Sequence, residues 1–372
     1  MVPDEHLQYK IALSLIPKVG PILAKRLIAY TGSPQAVFEQ NKPALLKIPN
    51  VGEQMASKIT SKECLKKAEE EIKFIEKYNI HTHFFTDNNY PERLKNCEDS
   101  PVIFYSKGKV DFARVKTLSI VGTRKPTEEG IDLCKKLVKD LAQSNDQLLI
   151  VSGLAYGIDI CAHTAALEAG LKTVAVLGHG LNTVYPAIHR KIAEKIVTEG
   201  ALITEFKSNT QAIAGNFISR NRIIAGIADA TVVIESGEKG GALITADIAN
   251  SYNRDVFAFP GRVSDKYSKG CNQLIKSNKA SLIESGSDLE YLMGWEVQKL
   301  KQKTIQRKMF QELSEKEKEV LNVLKSQETI PIDHICHKMQ QSTSQVSPLL
   351  LELEFKGLVK SLPGKHYKIL KI

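Results

Sequence analysis

TLSIVGTRKPTEEGIDLCKKLVKDLAQSNDQLLIVSG, residues 117–153, decides how this chain folds. It opens on a short apolar run, 117–122, and closes on another, 148–153. The segment between them, 127–144, has the length and apolar spacing of an amphipathic helix. Strand, helix and strand in this order make one crossover unit of a parallel sheet. The pattern then recurs. Further strand candidates are TVAVLG (173–178), ALITE (201–205), ATVVIE (230–235) and DVFAFPG (255–261), with helix-length stretches at 156–170 and 187–198. Most of these runs are apolar almost throughout, as expected of strands covered on both faces. The middle of the chain, 86–297, therefore reads as a doubly wound α/β core.

Different patterns flank this core, as expected for 372 residues, more than one core usually accommodates. Residues 1–85 read as helices. LIPKVGPILAKRL (15–27) and KIPNVGEQMASKI (47–59) repeat one motif, a Val-Gly pair followed by an amphipathic helix. Each glycine, Gly20 or Gly52, permits a tight turn that leaves helix-start N–H groups facing outward, a geometry suited to phosphate. These stretches resemble helix-hairpin-helix units. Two readings stand, backbone-binding hairpins or helices that only pack. A charged linker at 298–312 leads to residues 313–372. There a Ser-capped helix (314–325), two further helices (332–339 and 342–357) and a hairpin around Pro363-Gly364 follow the order of a winged-helix domain. The third helix bears Glu352 and Glu354 and no Arg, which argues against reading duplex DNA.

Charge is distributed unevenly. Residues 1–110 hold 16 basic and 13 acidic side chains (+3), residues 111–297 hold 21 of each (0), and residues 298–372 hold 14 and 8 (+6), for a total of +9. An anion bound by the core must therefore be held by locally placed groups. No apolar run is long enough for a membrane span, and MVPDEHLQYK lacks the features of a secretory signal. Six cysteines without a CxxC pair fit reduced thiols in a cytoplasm. HICH (334–337) reads as a surface helix, and no metal site is expected. GxGxxG after the first strand and GxxxxGK[ST] are both absent.

In a parallel sheet, ligands gather at the carboxyl ends of the strands. Those ends carry Gly122, Thr123 and Arg124 after the first strand and Ser152 and Gly153 after the second. Lys239, Gly240 and Gly241 follow the fifth and Arg262 the sixth, while NFISRNRIIAG (216–226) brings Phe217, Arg220, Asn221 and Arg222. Convergence of glycines and guanidinium groups on one rim points to a phosphate-bearing ligand. Ser152, Asp159 and His163 are better explained by a cap-and-helix hydrogen-bond network than by a catalytic trio, and no catalytic residue or cofactor is expected.

The series YPERL…SPVIFYSKG (90–108), IVGTRKPTEEG (120–130), IVSGLAYGIDICAH (150–163), VAVLGHGLNTVYP (174–186), NFISRNRIIAG (216–226) and GGALITADIA…FAFPGR…KGCNQLI (240–275) resembles the DNA-processing protein A (DprA/Smf) family. The resemblance implies a Rossmann-like doubly wound parallel sheet core flanked by an N-terminal all-α domain, helix-hairpin-helix or SAM-like, and a C-terminal winged helix. It implies a cytoplasmic, non-enzymatic protein of natural transformation that binds single-stranded DNA, protects incoming strands and helps load the RecA recombinase. It also implies a homodimer through the core. By motif match, Gly122, Thr123 and Arg124 form one phosphate-gripping loop and Arg220, Asn221 and Arg222 a second, with Phe217 stacking on a base. Lys239, Gly240 and Gly241 are a third contact and Arg262 a flanking one. GEKGGALITA departs from the family's Ser-Gly-Ser. The alternative is a nucleotide phosphoribohydrolase-like enzyme of similar architecture. Its motif glutamate has no counterpart here, Asp247 being the nearest carboxylate.

Overall fold

The computed structural model describes residues 6–112, 116–145, 147–295, 313–325, 329–362 and 364–370. The charged linker expected at 298–312 lies outside them. The chain divides into two compact units, Met1–Lys299 and Leu300–Ile372.

The first unit opens with α1 (Leu7–Ser14), α2 (Pro21–Thr31), α3 (Pro34–Glu39), α4 (Lys42–Leu45), α5 (Glu53–Thr60) and α6 (Glu63–Tyr78). The motif repeat of 15–27 and 47–59 is also a backbone repeat. Lys18 and Asn50 are left-handed, with φ of 65° and 67°. Gly20 and Gly52 then stand extended before α2 and α5 without a side-chain cap. The alternating core begins at β1 (His81–Phe84) and continues through α7 (Glu92–Lys95), β2 (Ile103–Gly108), β3 (Thr117–Gly122), α8 (Glu128–Ser144), β4 (Leu149–Ser152), α9 (Ile158–Glu168) and β5 (Thr173–Val176). A short 3-10 turn, Ala187–His189, precedes α10 (Arg190–Glu199), β6 (Ala201–Thr204), α11 (Ala214–Ile227), β7 (Ala230–Ile234) and α12 (Gly241–Ser251). The unit ends with β8 (Asp255–Ala258), α13 (Lys269–Lys276), β9 (Ser281–Leu282) and α14 (Gly286–Leu292).

Among the described residues these strands form one sheet in the order β1-β2-β6-β5-β4-β3-β7-β8-β9. The six expected strands are all present and pair in parallel with their neighbours among themselves. The sheet is larger than expected: β1 and β2 add an antiparallel edge and β9 a short parallel one. Successive strand residues face opposite ways. Thus Leu118, Ile120, Val232 and Ile234 pack beneath α8 and α9, whereas Val121, Val151, Val176 and Val233 pack with Ile223, Ile224 and Ile227 of α11. The N-terminal helices share their apolar core with β1 and β2, through Phe84, Ile103 and Tyr105. Buried Glu71 of α6 also reaches the loop after β6, accepting from Ser208 N and Oγ at 2.8 Å each.

The second unit comprises α15 (Glu315–Leu324), β10 (Ile330–Pro331), α16 (Ile332–Met339), α17 (Thr343–Phe355), β11 (Val359–Leu362) and β12 (His366–Ile369). Ser314 and Glu317 close a capping box at the start of α15. The three helices and the hairpin follow the expected winged-helix order, with β10 as an added strand pairing β12. Val320, Leu324, Ile335, Val346, Leu350 and Leu353 form its core.

Candidate functional site

The parallel strands reverse their order between β3 and β7, since the chain runs outward from β3 to β6 on one side and from β7 to β9 on the other. A crevice opens outside the carboxyl ends at such a switch point, where the two flanking loops part. Here it is a cleft of about 640 Å³, lined by loops after β3, β4, β5, β6 and β7.

Two of those loops are tied together. Thr123 N donates to Glu235 O at 2.8 Å, and Ile158 N donates to Thr123 O at 3.2 Å. Glu235, itself left-handed at φ 53°, accepts from Thr127 N at 2.9 Å and from the Thr127 hydroxyl. Thr127 caps α8, accepting from Gly130 N. The loop is thus clamped at both ends, and Arg124 stands exposed between the clamps on the cleft rim. On the same cleft α12 begins at Gly240 and Gly241, with no side chain capping its first N–H groups. Those groups and the helix dipole favour an anion.

Arg220 forms part of the cleft lining, but it is only 4% exposed. Its Nη1 donates to Gly153 O at 2.7 Å and to Val176 O, bracing the ends of β4 and β5. Asp159, buried in the first turn of α9, is its charged neighbour and accepts from Ala155 N at 3.4 Å. Burial lowers the Arg220 guanidinium to about 10 and raises the Asp159 carboxyl, and each charge partly offsets the other's shift. The guanidinium remains protonated at neutral pH and, beside Asp159, holds the base of the cleft. Gly153 is required beside this pair, because a Cβ there would lie 2.6 Å from both terminal nitrogens of Arg220 and from Asp159 Oδ2.

The structure brings together Gly122, Thr123, Arg124, Gly153, Phe217, Arg220, Asn221, Gly240 and Gly241 around this cleft. It places the other expected site residues elsewhere. Arg222 donates to Glu205 at 2.6 Å, and its Nε lies 3.9 Å from Asp99. Ser152 is fully buried and donates to Ile120 O at 2.6 Å. Lys239 is exposed on the β7–α12 loop, outside the cleft lining. Arg262 borders a second cleft of about 790 Å³, whose walls include Glu128, Glu129 and Glu235. The conceivable trio does not assemble either: Ser152 lies within reach of the Asp159 carboxyl, but His163 pairs with Thr173 Oγ1 at 2.7 Å. Asp247, the carboxylate nearest the hydrolase motif, pairs with Lys279 at 2.8 Å and does not line the cleft.

Sequence reasoning passed over Tyr156 and Tyr185, which line the cleft at 48% and 51% exposure. Both lie in stretches noticed for their glycines. Tyr185 stands 5.6 Å from Phe217 between ring centroids, and Tyr156 stands 5.1 Å from His189. His179, which sequence could not assign, is buried; its Nε2 accepts from Tyr185 N at 3.2 Å and its Nδ1 meets Gly180 O at 2.9 Å.

The family model described as DNA recombination-mediator protein A matches residues 81–293, and that of the DprA winged helix domain matches residues 310–365. Protein Smf of Synechocystis is 32% identical over 97% of this chain and 98% of its own length. The DNA processing protein DprA of Streptococcus pneumoniae is 38% identical over 55% of this chain and 71% of its own. The X-ray structure of that pneumococcal protein aligns with a TM-score of 0.68 at 29% identity, covering 76% of this chain and 97% of that one. DNA processing protein A of Helicobacter pylori, whose structure is described as revealing a single-stranded DNA binding mode, aligns with a TM-score of 0.52 at 26% identity over 58% of this chain and 96% of that one.

Proposed function

This chain belongs to the DNA recombination-mediator protein A (DprA/Smf) family, and from that membership we propose that its core binds single-stranded DNA in DNA uptake and recombination. The observation that carries this reading is the cleft at the β3–β7 switch point. One open crevice joins exposed Arg124 and the uncapped start of α12, and Arg220 braces the strand ends at its base. Contacts of this kind go to phosphate oxygens and hold any sequence alike. Thr123, Arg124, Gly240 and Gly241 are the direct phosphate contacts in this proposal, Asn221 of α11 is a further polar contact in the cleft, and exposed Lys239 is a flanking one. Arg220 is a positioning residue, since it is 4% exposed and its Nη1 is already given to Gly153 and Val176. The biological role follows the family: protection of incoming strands during natural transformation, loading of the RecA recombinase, and action as a cytoplasmic homodimer without catalysis. No described helix is long and apolar enough to cross a membrane.

Fluorescence anisotropy of a labelled oligonucleotide across a salt series tests the proposal. Single strands bind more tightly than the matching duplex. Arg124→Ala weakens binding for every sequence and lowers the slope of log K against log salt by about 0.7, the value for one lost phosphate contact. Wild-type slope in the variant, with no preference for single strands, refutes the reading.

A further inference from the structure

The loops around the cleft divide chemically as the strands divide spatially. Those after β3 and β7 supply Thr123, Arg124 and the start of α12. Those after β4 and β5 supply Tyr156 and Tyr185, and α11, which follows β6, supplies Phe217. We propose that this division orients a bound strand, with its nucleobases stacked on the strip formed by Phe217, Tyr185 and Tyr156 and its phosphates directed to Arg124 and α12. The proposal rests on the single-strand reading above. It adds Tyr156 and Tyr185 as base-contacting residues and places base recognition on the β4–β6 side.

Three observations support it. First, the apolar side is exposed beyond a stray residue: Ile218 is 54% exposed on the cleft, which it lines together with Phe217, Pro186 and the two half-exposed tyrosines. Isolated exposed apolar side chains are ordinary, whereas a contiguous group on a cleft marks a binding surface. Second, the rings are held in place while one part of each stays open. Tyr185 leans on Phe217 at an interplanar angle of 41°, and Tyr156 packs edgewise on His189, which is itself fixed to Leu154 O at 2.8 Å. Fixed aromatic faces stack on bases with little ordering cost, and every base offers such a face. Third, the facing wall selects the occupant. An apolar peptide would leave Arg124 and the first N–H groups of α12 without an anion, whereas a single strand supplies apolar faces and phosphates along one chain. A duplex hides its base faces in the stack, so this wall also gives a physical reason for preferring unpaired strands.

Anisotropy with the full chain separates the two walls. The probes are a labelled oligothymidylate and an abasic strand of equal length and charge, and the proteins are wild type, Tyr156→Ala, Tyr185→Ala, the two Tyr→Phe variants and Arg124→Ala. Wild type binds the oligothymidylate at least tenfold more tightly than the abasic strand. Each Tyr→Ala change lowers oligothymidylate affinity by about tenfold, the order expected for one lost base–aromatic stack, and leaves abasic binding and the salt slope unchanged. Each Tyr→Phe variant retains wild-type affinity. Arg124→Ala weakens both probes by one factor. Equal affinity of wild type for the two probes overturns the base assignment while the backbone grip survives. Salt-insensitive or absent binding of both probes overturns the single-strand reading and this proposal with it.

Discussion

Replacement of Arg220 by alanine separates a structural post from a ligand contact. The guanidinium is 4% exposed, braces Gly153 O and Val176 O, and lies beside the buried Asp159. Arg220→Ala leaves a buried carboxylate without its counter-charge, and breaking such a pair from one side costs about 3–5 kcal/mol. Two carbonyls also lose a donor, so the upper half of that range applies unless water enters the space. At about 2–4 °C per kcal/mol, melting of the first unit falls by roughly 8–20 °C. Urea denaturation followed by the circular dichroism of the α/β core measures the loss. Because the pair is coupled, Asp159→Asn in the Arg220→Ala background recovers part of it, and a double-mutant cycle gives a coupling of at least about 1 kcal/mol. Binding also declines, because β4 and β5 end less rigidly, but the salt slope of the folded fraction stays close to wild type. A stability loss below about 1 kcal/mol, together with a slope reduced as for one phosphate contact, refutes the reasoning and makes Arg220 a direct phosphate ligand.

Two further outcomes follow from the same packing. Burial lowers His83 to about 4 and His163 to about 3, against 6.5 for a free imidazole. Between those values the unfolded chain binds protons that the folded protein refuses, so stability is full above about pH 6.5 and declines as pH falls toward 4. The loss between pH 7 and 5 is about 2 kcal/mol for each histidine; chemical denaturation at both pH values measures it, and replacement of His163 by glutamine that leaves the pH dependence intact counts against the assignment. Gly153→Ala forces a methyl group against Arg220 and Asp159 and destabilises the first unit by about 1–3 kcal/mol; a melting temperature equal to wild type would show that the pair has room to yield.

How much of this was legible in sequence follows from the range of the forces involved. The crossover unit 117–153 could be read because period and strand length are local properties, and burial of both sheet faces writes itself into apolar runs. The antiparallel edge was not legible, because HTHF (81–84) holds a single apolar residue among polar ones and β2 pairs with β6, nearly a hundred residues away. The rim of glycines after β3, β4 and β7 was legible as chemistry, and its convergence follows from where strands end in a parallel sheet. The arginines were only half legible. Arg220 and Arg222 are two positions apart on α11, so they point about 200° apart around the helix axis, and the sequence already contained that separation. Which of them would be buried it did not contain. That depended on β4 and β5 lying side by side, so that Gly153 O and Val176 O meet one guanidinium, while Glu205 and Asp99 draw the other away. The tyrosine strip has the same origin: three aromatic residues spread over more than sixty positions share a wall only because β4, β5 and β6 are neighbours. Sequence alone determined the six parallel strands, the winged-helix order and the chemistry at the strand ends, because these depend on neighbours along the chain. Tertiary structure decided which charges are spent on each other and which face the cleft, because pairing energy depends on distance through space.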